Sequence, residues 1–207
     1  GQHHGTVRAR ALAQRYAPAF PPSYQDDVAP AAALADIAAL ERLQSSPAGA
    51  LMLALRRAAD GGGLHLRIAR NGEAIAISTL LPMLENFGLR VLAERGYALA
   101  GLPAGTASVQ DFELDYAGGA LDVARCGARF EEALLAVWRG ELEDDGFKRL
   151  LFAADLAGRE IVVLRACCRY LLQAGVPFSR ASMERALLAA PRVAALLLRL
   201  FHASFDP

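Results

Sequence analysis

Two hydrophobic periods meet in the stretch Ile77–Leu99, ISTLLPMLENFGLRVLAERGYAL, and they organise the chain. Leu80, Leu81, Leu84 and Phe87 recur at helical spacing. Ser78 or Thr79 can cap that helix, because a hydroxyl accepts from a backbone N–H that the first turn leaves free. Pro82 is tolerable only near a helix start, so it fixes the direction of the element. Gly88 stands where a helix ends in a left-handed residue. The period then becomes two: Leu89, Val91 and Ala93 alternate with Arg90, Leu92 and Glu94, which predicts a strand.

The same patterns divide the rest of the chain. Thr6–Ala17 reads as a short helix. Pro18–Tyr24 is too proline-rich to be regular and reads as an extended connector, with Phe20 and Tyr24 packed on a neighbour. A helix follows over 30–44, with Pro30 in its first turn. Leu51, Leu53 and Leu55 mark a strand over 50–57. Leu64, Leu66 and Ile68 alternate with His65, Arg67 and Ala69 in another over 64–70. Asp60-Gly61-Gly62-Gly63 joins them as a hairpin turn. Gly101–Gly105 is a loop. The strand over 107–116 has Phe112, Leu114 and Tyr116 as its firmer alternation, and a bulge near Asp111 would reconcile Val109 with it. Phe130, Leu134, Leu135, Val137 and Trp138 then predict a helix over 129–142. From Asp144 onward the pattern is helical: 147–156, 158–172, 182–190 and 193–205.

The order β, β, α, β, β, α predicts an α+β fold: a four-stranded antiparallel sheet of ACT-like, ferredoxin type with helices on one face, followed by an all-helical segment. The second strand's other face carries His65 and Arg67 and reads as solvent or contact surface. The expected division is 1–46, an N-terminal helical segment and connector; 47–142, the α+β domain; and 143–207, a helical linker.

Several long stretches, in one order, resemble the large bacterial NAD-specific glutamate dehydrogenases. They are LLPMLENFGLRVLAERGYAL, SVQDFELDY, FEEALLAVWRGELEDDGFKRLLFAADLAGREIVVLRACCRYLLQAG and the terminal RLFHASFDP. That resemblance covers roughly residues 20–207 and implies the regulatory and linker region that precedes a catalytic domain. It implies a parent reaction in which glutamate and NAD give 2-oxoglutarate, ammonium and NADH. It also implies NAD as the parent's cofactor and a catalytic domain of the same chain as partner. A homo-oligomer is expected instead from the wide apolar faces of the helices over 158–172 and 193–205, which need cover on more than one side, and from the sheet edge.

Composition narrows the remaining classes. Of 207 residues 54% are hydrophobic, which argues against disorder. Charges balance at 22 basic and 22 acidic, so a nucleic-acid binder is disfavoured. Lys148 is the one lysine among those 22 basic residues, a bias that fits GC-rich coding. Cys126, Cys167 and Cys168 lack CxxC spacing and read as reduced thiols of a cytoplasmic chain, buried as small hydrophobes. No apolar run is long enough to span a membrane. GQHHG, residues 1–5, resembles no signal peptide and receives no role.

Candidate chemistry is sparse. Gly61-Gly62-Gly63 leads into a strand without the lysine and hydroxyl of a phosphate loop, and no GxGxxG opens a helix after a strand. His3, His4, His65 and His202 have no partners at ligand spacing, so no metal site is expected. Asp26-Asp27, Glu131-Glu132 and Asp144-Asp145 are adjacent pairs whose side chains diverge and read as solvated faces. Arg165 and Arg169, at i and i+4, could clamp an anion but read better as contacts to a neighbouring domain. Lys148, the sole candidate for the lysine that the family uses on its substrate, reads as a surface position. No catalytic or cofactor-binding residue is therefore assigned.

Two further readings stay open. In one, the α+β unit senses an amino-acid effector at the loop 69–78, where Asn71, Gly72 and Ser78 would meet it and Gly72 permits close approach. In the other, the chain is a structural helical docking module.

Overall fold

The computed structural model describes residues 11–12, 14–58, 63–102 and 105–205. His3, His4, residues 6–10 and 13 of the expected helix over 6–17, the turn residues Asp60–Gly62 and the tip of the loop over 101–105 lie outside the described residues.

Four strands, β1 (Leu51–Arg57), β2 (Leu64–Asn71), β3 (Leu89–Leu102) and β4 (Gly105–Tyr116), form one antiparallel sheet in the order β1-β2-β4-β3. Ala58 N–H donates to Gly63 C=O at 3.0 Å and closes the first hairpin. Helices α1 (Pro22–Asp27) and α2 (Pro30–Leu43) precede the sheet. Helix α3 (Ile77–Asn86) joins β2 to β3, and α4 (Val123–Trp138) follows β4. This is the expected ββαββα order, and the fold is ACT-like. A 3-10 turn (Gly146–Arg149) then leads to α5 (Leu150–Ala153), α6 (Gly158–Gln173), α7 (Arg180–Ala189) and α8 (Pro191–Phe205).

The chain divides into two compact units. The described residues of Gly1–Ala54, His65–Ala76 and Leu92–Glu113 make the first; Leu55–Leu64, Ile77–Val91 and the described residues of Leu114–Pro207 make the second.

In the first unit the N-terminal helices cover a sheet face. Tyr16, Phe20, Tyr24, Leu40 and Leu43 are buried with Ala69, Tyr97, Leu99, Ala107 and Val109. Phe20 and Tyr24 stack at 4.0 Å, and Tyr24 meets Tyr97 edge-on at 5.1 Å. Burying such rings removes a large apolar area from water and fixes ring orientation. Two expectations are corrected by this. The stretch read as an extended connector contains helix α1, with Pro22 in its first turn, where the missing N–H has no partner to lose. The face carrying Arg67 is not solvent: Arg67 is only 5% exposed, under α2.

The same burial removes the need for a bulge at Asp111. Strand β4 runs unbroken. Ala107 and Val109 lie in the cluster under the N-terminal helices, and Asp111 on the same alternation reaches Arg67. Gln110, Phe112 and Leu114 take the other alternation and are buried too. A strand covered on both faces shows no single-sided pattern.

In the second unit α3 and α4 meet through Phe87 and Phe130, edge to face at 5.0 Å. Helix α3 begins at Ile77, so Ser78 and Thr79 lie inside it rather than capping it, and Pro82 is interior. Its missing N–H falls one turn in, where one bond is forfeited and the helix continues. Gly88 has φ +83° and ends the helix as expected. Helix α4 starts at Val123, six residues ahead of its expected start, because the Asp122 side chain accepts from Arg125 N–H. Pro191 opens α8 instead of standing between two helices, the position where proline's fixed φ suits a helix.

Candidate functional site

Three places in the structure collect the residues that could carry function. The first is a charged cluster under α2. Arg67 on β2 donates from Nε to Asp36 Oδ1 at 3.0 Å, from Nη2 to Asp36 Oδ2, and from Nη1 to Asp111 Oδ2 at 3.2 Å. Tyr24 hydroxyl donates to Asp36 Oδ2 at 2.6 Å, and Tyr97 hydroxyl to Asp27 Oδ2 at 2.9 Å. The guanidinium lies 5.7 Å from the Tyr24 ring and 6.0 Å from the Tyr97 ring. Every side chain named here has a partner, so the cluster locks helix to sheet. Burial, then Asp36, pushes the Tyr24 phenol up; burial of Arg67 works against its charge, but Asp36 and Asp111 more than offset it. Asp27, read as half of a solvated pair, is thereby a structural acceptor.

The second place is the loop expected to meet an effector. Asn71 is held by backbone bonds to Gly49 and Ala50, and its Nδ2 donates to Ser46 C=O at 3.3 Å. Gly72 has φ +124°, a conformation that needs glycine. Ile75 is pinned on both sides by Gln110: its N–H donates to Oε1 at 2.7 Å and its C=O accepts from Nε2 at 3.0 Å. Asn71 borders a cavity of about 10 Å³, the space of a single water. Ser78 is exposed on α3. Gln110 is the residue that the sequence reading missed here; a polar residue inside an apolar strand is the signal that could have drawn attention to it.

The third place is the start of the helical segment. Asp144 and Asp145 follow α4, and Gly146 allows the chain to pass beside the Glu184 carboxylate, which a Cβ would strike. Asp145 accepts from Arg165 at 2.7 Å and 2.9 Å, a bidentate pair, and from Arg180. Glu143 accepts from Arg169 at 2.7 Å. Asp144 accepts from Lys148 and, at 2.9 Å, from Asn86. Two expectations change. The Asp144–Asp145 pair anchors four cationic and amide groups and is no solvated face. Lys148 is 3% exposed rather than on the surface, with its ammonium 4.6 Å from the Phe87 ring. Burial lowers its pKa, opposed by Asp144. Arg165 is buried and engaged by Asp145, whereas Arg169 is exposed with Glu143. Glu131, read as solvated, accepts from Leu55 N–H at 2.8 Å, and burial raises its pKa.

Cys126 and Cys168 are buried, which raises both thiols, and Cys167 is exposed. Among the described residues no three His, Cys, Asp or Glu side chains gather as a metal set. No single described helix is long and apolar enough to cross a membrane; α7 and α8 pass that test only as a pair, bent by 103°.

Comparison with known proteins gives this geometry its context. Residues 2–43 match the helical motif 2 of glutamate dehydrogenase, 50–126 its ACT3 domain and 142–207 its helical motif 3. The chain is 33% identical, over 98% of its length, to the NAD-specific glutamate dehydrogenase of Halomonas elongata. It is 33% identical over 96% to that of Mycobacterium tuberculosis, and 32% over 90% to that of Pseudomonas aeruginosa. It spans only 12–13% of the length of these relatives. With three successive motifs of one enzyme type matched in order along it, the chain belongs to the large NAD-specific glutamate dehydrogenase family, as one segment of such a protein.

Proposed function

We propose that this chain is a non-catalytic regulatory and scaffolding segment of a cytoplasmic NAD-dependent glutamate dehydrogenase. The parent would convert glutamate and NAD into 2-oxoglutarate, ammonium and NADH, with substrate and cofactor bound outside this segment. The observation that carries the reading is the ordered succession of helical motif, ACT domain and helical motif along the chain. The geometry of Lys148 supports it. A lysine that handles a substrate carbonyl must present a free amine to a cleft, and this one is buried, bound to Asp144 and laid on Phe87.

The segment is divided in this reading into 1–46, 47–142 and 143–207. Its partners are the catalytic domain of the same polypeptide and further copies in a homo-oligomer. The Arg67–Asp36 cluster serves as scaffold by fixing α2 on the sheet, and the acid ladder Glu143–Asp145 fixes the start of the helical segment. The alternative of an amino-acid effector at Asn71, Gly72 and Ser78 has less support, because Gln110 and Ser46 already hold that loop. A thermal-shift panel of amino acids tests it: a rise that saturates with one of them, lost in Gln110→Ala, would favour sensing over scaffolding. The main reading is tested by assaying the full polypeptide for glutamate-dependent NAD reduction with the contacts of this segment disrupted. Loss of activity or assembly, without loss of a catalytic residue, is the expected outcome.

A further inference from the structure

Three apolar stripes converge on a trough in the last helices. Cys167 and Leu171 on α6, Met183 and Leu187 on α7, and Leu197 and Leu200 on α8 each repeat at three- or four-residue spacing and line it. Such spacing puts each pair on one helix face. The bend of 103° between α7 and α8 holds the trough open, and its volume is about 490 Å³. Leu197 and Leu200 are 44% and 63% exposed at its edge. Three helices thus turn apolar stripes towards one trough whose remaining side is open.

We infer that this trough seats one amphipathic helix contributed by another part of the same polypeptide. The inference rests on the reading of the chain as a segment of a longer protein and names the partner of its helical part. A small metabolite is disfavoured because Ser204 carries the one side-chain oxygen among the described residues of the lining, and metabolite clefts orient their ligands with several polar groups. A flat bilayer does not fill a concave trough between three helices. A second copy of this chain is the weaker occupant: its α2, α3 and α4 bury Leu40 and Leu43, Leu80 and Leu84, and Phe130 and Leu134, although its α8 exposes Val193 and Leu196. Helix α8 itself already serves as a wall. The relatives extend far beyond the matched stretch, which is 12–13% of their length, so a helix in cis has ample chain to come from. The volume suits the two or three bulky anchors of such a helix at i, i+3/i+4 and i+7, with its backbone lying across the mouth.

The test uses the full polypeptide, with a photo-crosslinking amino acid in place of Leu200 and an equal mixture of isotopically heavy and light copies. Cross-links to one helical peptide with that apolar spacing, all heavy–heavy or light–light, are expected. Mixed heavy–light pairs, a lipid adduct, or no protein cross-link would each overturn the inference. In parallel, alkylation of Cys167 should rise about tenfold in Leu200→Glu, where the helix is displaced and the thiol opens to solvent. It should not change in Tyr170→Glu, an exposed position outside the lining. Equal alkylation in all three proteins would overturn the inference as well. A full polypeptide that shows these cross-links but never reduces NAD with glutamate would count against the functional reading alone.

Discussion

Arg67 on β2 and Asp36 on α2 form a forked ion pair in which both side chains are about 5% exposed or less. It lies within the first unit and joins the stretch matched by helical motif 2 to the stretch matched by the ACT3 domain. Removing Asp36 leaves the buried Arg67 guanidinium with Asp111, a more exposed partner, and that is more damaging than replacing both members of the pair. Asp36→Ala should lower stability by about 3–5 kcal/mol, and the pair Asp36→Leu with Arg67→Met by clearly less. Denaturant midpoints of the single and double variants check this. An additive double variant would show that the two groups do not depend on each other.

Alkaline pH should weaken the same region. Burial, reinforced by carboxylate acceptors, pushes the phenols of Tyr16 and Tyr97 up to about 12. Above the ordinary value of about 10 the unfolded chain releases these protons while the folded chain retains them. The stabilisation is therefore present below pH 10 and lost as pH rises towards 12. Urea midpoints measured across that window should fall, and the fall should be shallower in Tyr16→Phe and Tyr97→Phe. Parallel curves for wild type and variants would contradict the assignment.

Asp144→Ala removes the carboxylate partner of the buried Lys148 ammonium and should cost about 2 kcal/mol near neutral pH, less than for a fully buried pair because Asp144 is one-third exposed. The folded pKa of Lys148 is already lowered by burial, so the unfolded state binds the proton more readily. Stability then rises as pH climbs towards the ordinary lysine value, and the penalty of the variant should shrink between neutral pH and about 10. Chemical denaturation at two pH values is sufficient to see it.

Gly88 ends α3 at φ +83°, and a Cβ there would sit at ordinary distance from Arg149 and Tyr116, 3.5–3.6 Å away. Strain rather than collision is thus the expected cost, and Gly88→Ala should lose about 1–2 kcal/mol. A neutral result in thermal melting would mean that the helix end relaxes.

The strands, the order of elements and the turn at Gly88 were legible because each rests on local spacing. What covered the sheet was not. Arg67 alternates with Leu66 and Ile68 as a solvent-facing residue would, and alternation cannot distinguish a solvated arginine from one paired under a helix. The available signal was on the other partner: Asp36 is four residues before Leu40 and seven before Leu43, on the stripe that α2 buries. Lys148 shows the same limit. Its acidic neighbours predict a polar surface, whereas Leu150 and Leu151 just after it are fully buried and draw the one lysine of this arginine-rich chain inside with them. Gln110 pins a loop 35 residues away, a contact that no local pattern encodes.

The most direct measurement compares glutamate-dependent NAD reduction by this 207-residue chain and by the full polypeptide that carries it. NADH absorbance should rise with the full polypeptide and stay flat with the purified chain. Turnover by the chain alone, abolished in Lys148→Ala, would contradict the proposed role as a non-catalytic segment.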